Sequence, residues 1–299
     1  MNQQKIEGEW LEITAPAKVN LMLSVHGKRG DGFHELTSLM VACHFGDTLK
    51  VRANGADHDL LHVDGIEVPV DPSNLILQAA DVFRNSTGYN GHFDFHLLKR
   101  IPLGAGLGGG SSDAVAALQA LNSIAKTKLS KPELTEMAAV LGSDCPFFVD
   151  SVPALIRGRG EVVEPLDAEC AKRLTGKKLL LFKPHFGVET VWAYRQLAAY
   201  PEFNYESLEV AMARMRRFSS VFDAGDLLHN VFENPVGRKF TAIPVLLEKL
   251  REKGVNCQMS GSGSCCFALI DNGISVSEIV KTVVNCWGEG IFWVETSVY

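Results

Sequence analysis

Five glycines stand within seven positions in Ile101-Pro102-Leu103-Gly104-Ala105-Gly106-Leu107-Gly108-Gly109-Gly110-Ser111-Ser112-Asp113, directly before an apolar run of helical spacing. Glycine lacks a Cβ, so its backbone reaches positive φ and comes close to an anion. The first turn of the helix that follows adds N–H donors and the positive end of a dipole. Pro102 to Ser112 therefore reads as a phosphate cradle, with a nucleotide's phosphates as the natural occupant. A plain strand-to-helix turn is the simpler alternative, but one or two glycines suffice for that.

Other glycine motifs compete for the segment, and its flanks separate them. Gly104, Gly106 and Gly109 satisfy the dinucleotide pattern GxGxxG, which also needs a second strand with an acid about 20 residues on. Lys126-Thr127-Lys128-Leu129-Ser130-Lys131-Pro132 occupies that region and is basic. The segment closes with Gly110-Ser111-Ser112, so it lacks the GK[ST] of a P-loop, and no HRD or DFG follows as in protein kinases.

Two charged residues elsewhere attract attention. Lys18 precedes the apolar run Val19-Asn20-Leu21-Met22-Leu23, and an ammonium buried there needs a partner or a cleft; a stem that snorkels to water from a strand edge is the other reading. Asp144 lies between Gly142 and Pro146, in a turn that either projects its carboxylate into a cleft or merely follows a helix. Ser111 and Ser112 suit a phosphate contact or a helix N-cap equally.

The elements that must position these groups follow from periodicity. Strands are expected over Ile13 to Val25, Leu36 to His44, Thr48 to Ala53 and Phe93 to Lys99, with a helix from Asn74 to Arg84 among them. Helices follow the glycines over Ser112 to Ile124 and Lys131 to Leu141, where Pro132 suits a first turn and Gly142 an end. Periodicity lapses from Leu166 to Lys178, which suggests a boundary between domains at 1–168 and 178–299. Beyond it come a strand over Lys178 to Lys183 and helices over Val188 to Leu197, Glu206 to Arg216 and Ala242 to Glu252. A paired strand unit is expected from Asn256 to Met259 and Cys265 to Ile270. The fold class is α+β.

Composition bounds the function. The 299 residues carry a net charge of −6, against nucleic acid or an anionic membrane as the main partner. No apolar run approaches a membrane span, and Met1 to Glu9 lacks the basic-then-apolar order of a signal peptide, so a cytoplasmic protein is expected. Seven cysteines without a CxxC pair fit reduced, buried packing residues. His58 with His62 and His92 with His96 have helical metal-ligand spacing. The second pair lies in an alternating strand pattern, where positions four apart are about 13 Å apart, so both pairs are set aside as ligands.

Three separated segments, Pro16-Ala17-Lys18-Val19-Asn20-Leu21, the glycine segment and Ser260-Gly261-Ser262-Gly263, resemble the three motifs of the GHMP small-molecule kinases, named for galactokinase, homoserine kinase, mevalonate kinase and phosphomevalonate kinase. Their order and spread match across nearly the whole chain. Within that superfamily, PAKVNLMLSV, then Lys28-Arg29-Gly30-Asp31-Gly32-Phe33-His34-Glu35-Leu36, then Leu141-Gly142-Ser143-Asp144-Cys145-Pro146-Phe147-Phe148, is similar to the kinases acting on 4-diphosphocytidyl-2-C-methyl-D-erythritol.

The resemblance implies a strand-rich N-terminal domain with helices, a C-terminal α/β sandwich-like domain, ATP with Mg²⁺, and a cytidine-diphosphate-linked polyol as second substrate. It implies Asp144 as the catalytic base and Lys18 as the ammonium that keeps it ionised and steadies the transferring phosphoryl group. Phe33 and Tyr194 are implied as stacking surfaces for cytosine, with His34 reading the base edge. Asn20 and His185 are expected beside the substrate, and the turn with Gly261 and Gly263 braces the phosphate loop. The family usually has tyrosine where this chain has Phe33, which keeps the stacking face and removes one hydroxyl. Gly158-Arg159-Gly160-Glu161 is read as a structural turn, metal ligands are left unassigned, and the chain is expected as a monomer or homodimer.

Overall fold

The structure, a computed structural model, describes residues 9–221, 224–270 and 273–299. Residues 1–8, part of the segment read above for a leader, lie outside the described residues. The strands are β1 (Leu11–Lys28), β2 (His34–Asn54), β3 (Leu60–Gly65), β4 (His92–Lys99), β5 (Ala154–Gly158), β6 (Val162–Pro165), β7 (Lys178–Lys183), β8 (His229–Asn230), β9 (Cys257–Met259), β10 (Cys266–Leu269) and β11 (Phe292–Ser297). The α-helices are α1 (Leu75–Thr87), α2 (Gly109–Ala125), α3 (Lys131–Leu141), α4 (Cys145–Phe148), α5 (Ala168–Leu174), α6 (Thr190–Ala199), α7 (Pro201–Asn204), α8 (Leu208–Val221), α9 (Glu233–Lys239), α10 (Ala242–Arg251) and α11 (Val276–Trp287). The described residues form two compact units, one of residues 9–17, Gly46–Pro102 and Gly108–Ser151, the other of Lys18–Phe45, Leu103–Leu107 and the described residues from Val152 onward.

In the first unit β4 is flanked by β3, parallel to it, and by the Thr48–Asn54 end of β2, antiparallel. Strand alternation sends Phe93, Phe95 and Leu97 into the core. There they join the buried Ile76, Ala79, Ala80 and Phe83 of α1. Helix α2 packs against α1, α3 and α4. Four of its nine buried residues are alanine, at 114, 116, 117 and 120, and small side chains let three neighbours approach one helix closely. A capping box of Ser130 and Glu133 starts α3, with Pro132 in its first turn.

In the second unit an antiparallel sheet runs β11-β7-β10-β9, with Leu180, Leu181 and Phe182 of β7 and Phe267 of β10 fully buried. Cys266 pairs with Met259, so the expected strand pair between Asn256 and Ile270 forms. The same unit holds the Lys18–Lys28 part of β1, paired in parallel with β8 at Met22 and Leu23. Leu36–Met40 of β2 pairs with β5, which pairs in turn with β6.

Several elements differ from the sequence reading, among them β2, one unbroken strand over His34–Asn54 where two were expected. The region from Leu166 to Lys178 is not featureless: Asp167 caps α5, which buries Cys170 and Leu174 and is too short for periodicity to show. The helix expected from Val188 begins at Thr190, with Glu189 at its N-cap. The one expected from Glu206 begins at Leu208. Residues past 270 add α11, amphipathic and buried through Ile279, Thr282 and Val283, and the outer strand β11.

Candidate functional site

In the second unit Lys18 is 3% exposed, which removes the snorkelling alternative. Its Nζ donates to Asn20 Oδ1 at 2.7 Å, Asn20 Nδ2 donates to Ser38 Oγ at 2.8 Å, and Ser38 Oγ donates to the Met22 carbonyl at 2.6 Å. Asn20 is thus held by side chains and fixes the ammonium's position. The Lys18 main-chain N–H donates to the Leu107 carbonyl at 3.0 Å, so the same residue also anchors the end of the Leu103–Leu107 segment.

That segment is clamped by the turn between β9 and β10. Ser264 N–H donates to the Gly104 carbonyl and Cys265 N–H to that of Ala105, each at 3.1 Å, and Ser260 Oγ donates to the Gly106 carbonyl at 3.1 Å. Gly106 has φ +72°, and a Cβ there would run into the Ser260 carbonyl oxygen, so glycine is required. A Cβ on Gly261 would stand 3.0 Å from the Gly106 oxygen and 3.3 Å from Lys18 Nζ. Gly261 therefore lies at the ammonium, and Gly263 lies over Met259.

In the first unit the other half of the glycine segment opens α2. Its N-cap is Gly108 at φ +70°, and no side chain caps the helix. Ser111 and Ser112 thus lie inside the first turn, which excludes the N-cap reading for both. Ser112 N–H donates to the Gly108 carbonyl at 2.9 Å as the first intrahelical bond, so the N–H groups of Gly109, Gly110 and Ser111 head the helix. Ser112 Oγ is buried without a hydrogen-bond partner among the described residues. Uncapped N–H groups on glycines and an orphaned hydroxyl fit an anionic group such as a phosphate.

Beneath this turn lies a buried charge cluster that the sequence reading missed. Lys99 Nζ donates to Asp47 Oδ2 at 2.6 Å and to Asp113 Oδ2 at 2.5 Å, while Asp47 Oδ1 accepts from the Arg100 and Ile101 N–H groups. A Cβ on Gly109 would come within 2.9 Å of Lys99 Nζ. Burial, reinforced by the Asp47 charge, outweighs the Lys99 attraction and pushes the Asp113 carboxyl up to about 7.

Asp144, also in the first unit, is half-buried at the N-cap of α4. It follows the end of α3 at Leu141, and its side chain makes no cap bond to α4. Burial pushes its neighbour Cys145 up to about 12 and keeps it a thiol.

Aromatic rings gather around His34 in the second unit. Tyr194 packs on the imidazole with centroids 4.9 Å apart, and Tyr205 meets it edge-on at 6.0 Å. Tyr194 also packs edge-on against Phe232 at 4.8 Å. His34 Nε2 is buried and lacks a hydrogen-bond partner among the described residues. Burial and the Lys28 charge lower the His34 pKa, which favours a neutral ring able to donate and accept. Phe33 is 46% exposed with the Arg159 guanidinium 4.7 Å over its ring. His185, in contrast, is exposed after β7 and lies beside Gly290.

The segment from Gly158 to Glu161 forms a turn: Gly158 is at φ +71° and Arg159 N–H donates to Glu161 Oε2 at 2.7 Å. Three positioning residues had no sequence signal. Gln258 Nε2 donates to the Asn20 carbonyl at 2.7 Å. Asn230 Nδ2 donates to the Met259 and Gly261 carbonyls at 2.7 and 2.8 Å. Lys183 Nζ donates to the Pro184 and Phe186 carbonyls at 3.0 and 2.9 Å. A lone buried amide or lysine between apolar residues looks like any other polar interruption.

Comparison with known proteins defines the class first. Residues 74–151 match the model of the GHMP kinases N terminal domain and residues 206–289 that of the GHMP kinases C terminal region. The chain has the GHMP kinase fold and is an ATP-dependent small-molecule kinase. It is 36% identical over 287 residues to 4-diphosphocytidyl-2-C-methyl-D-erythritol kinase of Thermodesulfovibrio yellowstonii, covering 93% of this chain and 95% of that one. With the enzyme of the same name from a Synechococcus species it shares 39% over 272 residues, 87% of each. A crystal structure of 4-(cytidine 5'-diphospho)-2C-methyl-D-erythritol kinase matches with a TM-score of 0.74 at 32% identity, covering 96% of this chain and 99% of that one. The chain belongs to the 4-diphosphocytidyl-2-C-methyl-D-erythritol kinase family.

Proposed function

We propose that this chain transfers the γ-phosphate of ATP to the 2-hydroxyl of 4-diphosphocytidyl-2-C-methyl-D-erythritol, a step in the non-mevalonate route to isoprenoid precursors. The observation that carries this reading is Lys18, an ammonium 3% exposed that is held by Asn20 and lies beside Gly261. A buried cation so fixed suits the charge that develops on a transferring phosphoryl group.

In the proposed reaction the substrate oxygen forms a bond to the γ-phosphorus as the bond to the β-phosphate oxygen breaks. ADP leaves, and the hydroxyl proton passes to Asp144. The donor phosphates lie at Pro102 to Ser112, where the glycine N–H groups heading α2 supply donors and their positive dipole end. Mg²⁺ bound with ATP would neutralise phosphate charge, and as an ion that usually keeps several waters it would need few protein ligands. Cytosine stacks at Phe33 and Tyr194, and His34 Nε2 hydrogen-bonds its edge; the orphaned state of that nitrogen supports this role. His185 is a peripheral contact to the same substrate. Seven free cysteines support a cytoplasmic setting, and the protein acts as a monomer or homodimer without nucleic acid or membrane. Among the described residues no helix is long and apolar enough to cross a membrane.

An ADP-release assay with the cytidylyl substrate, mevalonate and homoserine tests the proposal. Turnover confined to the cytidylyl substrate is expected. Turnover of mevalonate or homoserine in its place would refute it.

A further inference from the structure

Strand β3 lies at the edge of its sheet and pairs in parallel with β4, which sets His62 opposite His96 and Asp64 opposite Leu98. Alternate strand residues share a face, so His62, Asp64 and His96 meet on one side. Their side chains are 70%, 55% and 37% exposed. His96 Nε2 lies 2.7 Å from Asp64 Oδ2, and His62 Nε2 lies 3.3 Å from Asp64 Oδ1. The two rings stand 4.8 Å apart, and all three potential ligand atoms fall within 4.8 Å of one another. Helical i,i+4 spacing had paired these histidines with the wrong partners; the register of the parallel strands brings together one from each pair.

We propose that His62, Asp64 and His96 form a surface site for one divalent transition-metal ion of the zinc class, clipping the edge strand β3 to β4. Ligands at about 2.0–2.2 Å around a tetrahedral ion lie roughly 3.4 Å apart. The present spacing therefore closes through small rotations of exposed side chains. Two imidazole nitrogens and one carboxylate oxygen suit Zn²⁺, Ni²⁺ or Cu²⁺ and do not suit Mg²⁺ or Ca²⁺, which take oxygen ligands. Three protein ligands leave a fourth position for water. The nearest cation by register is Lys50, opposite His96 on β2, and its ammonium is engaged by Glu12 at 3.2 Å. The site is separate from every residue assigned above to phosphate, base or proton transfer.

Calorimetric titration of the full chain with Zn²⁺ alone, at pH about 7.5 and with the cysteines reduced, tests the proposal against Asp64→Asn and a His62→Ala/His96→Ala double variant. The wild type is expected to bind one ion more than the double variant and to gain thermal stability from it. Asp64→Asn should weaken that binding at least about tenfold, since even second-shell changes cost 10- to 100-fold. All three proteins should keep the same kinase turnover, which shows that the variants fold and separates this test from that of the proposed function. Equal Zn²⁺ binding by wild type and double variant, whether both bind or neither does, would overturn the proposal. Displacement of Zn²⁺ by equimolar Mg²⁺ would overturn the assigned metal class.

Discussion

At Lys18 the main chain and side chain act separately, one holding the Leu107 carbonyl and the other facing Asn20 and Gly261. The ammonium after Pro16-Ala17 was singled out by the family motif, since the cost of burying a charge alone left a stem snorkelling to water open. Gln258 and Asn230, which hold its surroundings, were not, since a buried amide is recognisable only from the carbonyls it meets. The aromatic set divides likewise: His34 and Tyr194 were named from the family motif, whereas Tyr205 had no motif. Replacing Tyr194 with alanine should raise KM for the cytidylyl substrate roughly 5- to 150-fold, the equivalent of about 1 to 3 kcal/mol of base stacking. Tyr194→Phe should leave KM near the wild-type value, and steady-state kinetics at saturating ATP distinguish the two.

Asp113 carries a pH dependence of definite sign. Its folded carboxyl is raised to about 7 from 3.8, so the folded protein holds a proton that the unfolded chain has released. That contribution to stability is full below the unfolded value and is lost as pH rises to about 7. Between pH 5 and 7 the wild type should lose up to about 1.4 kcal/mol per pH unit more than Asp113→Asn. Urea denaturation across that range measures it, and parallel profiles would count against the raised carboxyl.

At the scale of elements, the glycine segment was legible because five glycines exceed what a turn needs. Its division of labour was not. Leu103–Leu107 is held through carbonyls by the turn after β9, while Gly108 onward leaves the head of α2 uncapped. Gly106→Ala puts a Cβ against the Ser260 carbonyl at a φ of +72°. It should cost about 1 to 3 kcal/mol of stability and weaken ATP binding; denaturation and nucleotide titration of one preparation read both. Long periodic elements such as β1 and α3 were placed from pattern alone. α5, with seven residues, and β8, with two, fall below the length at which periodicity carries information.

For the whole molecule, the α+β class and the two-part family organisation were readable because motifs are spread from Lys18 to Gly263. The interleaving of the two units was not: the chain crosses between them within β1, within β2, on either side of Leu103–Leu107 and between Ser151 and Val152, and periodicity carries no signal for such crossings. The kinase reading as a whole depends on Asp144 as the proton acceptor. Turnover and ATP affinity of Asp144→Asn, measured on one preparation, test it most directly. The expected result is a loss of about 10²- to 10⁴-fold in kcat with ATP affinity nearly unchanged; a fully active variant would contradict it.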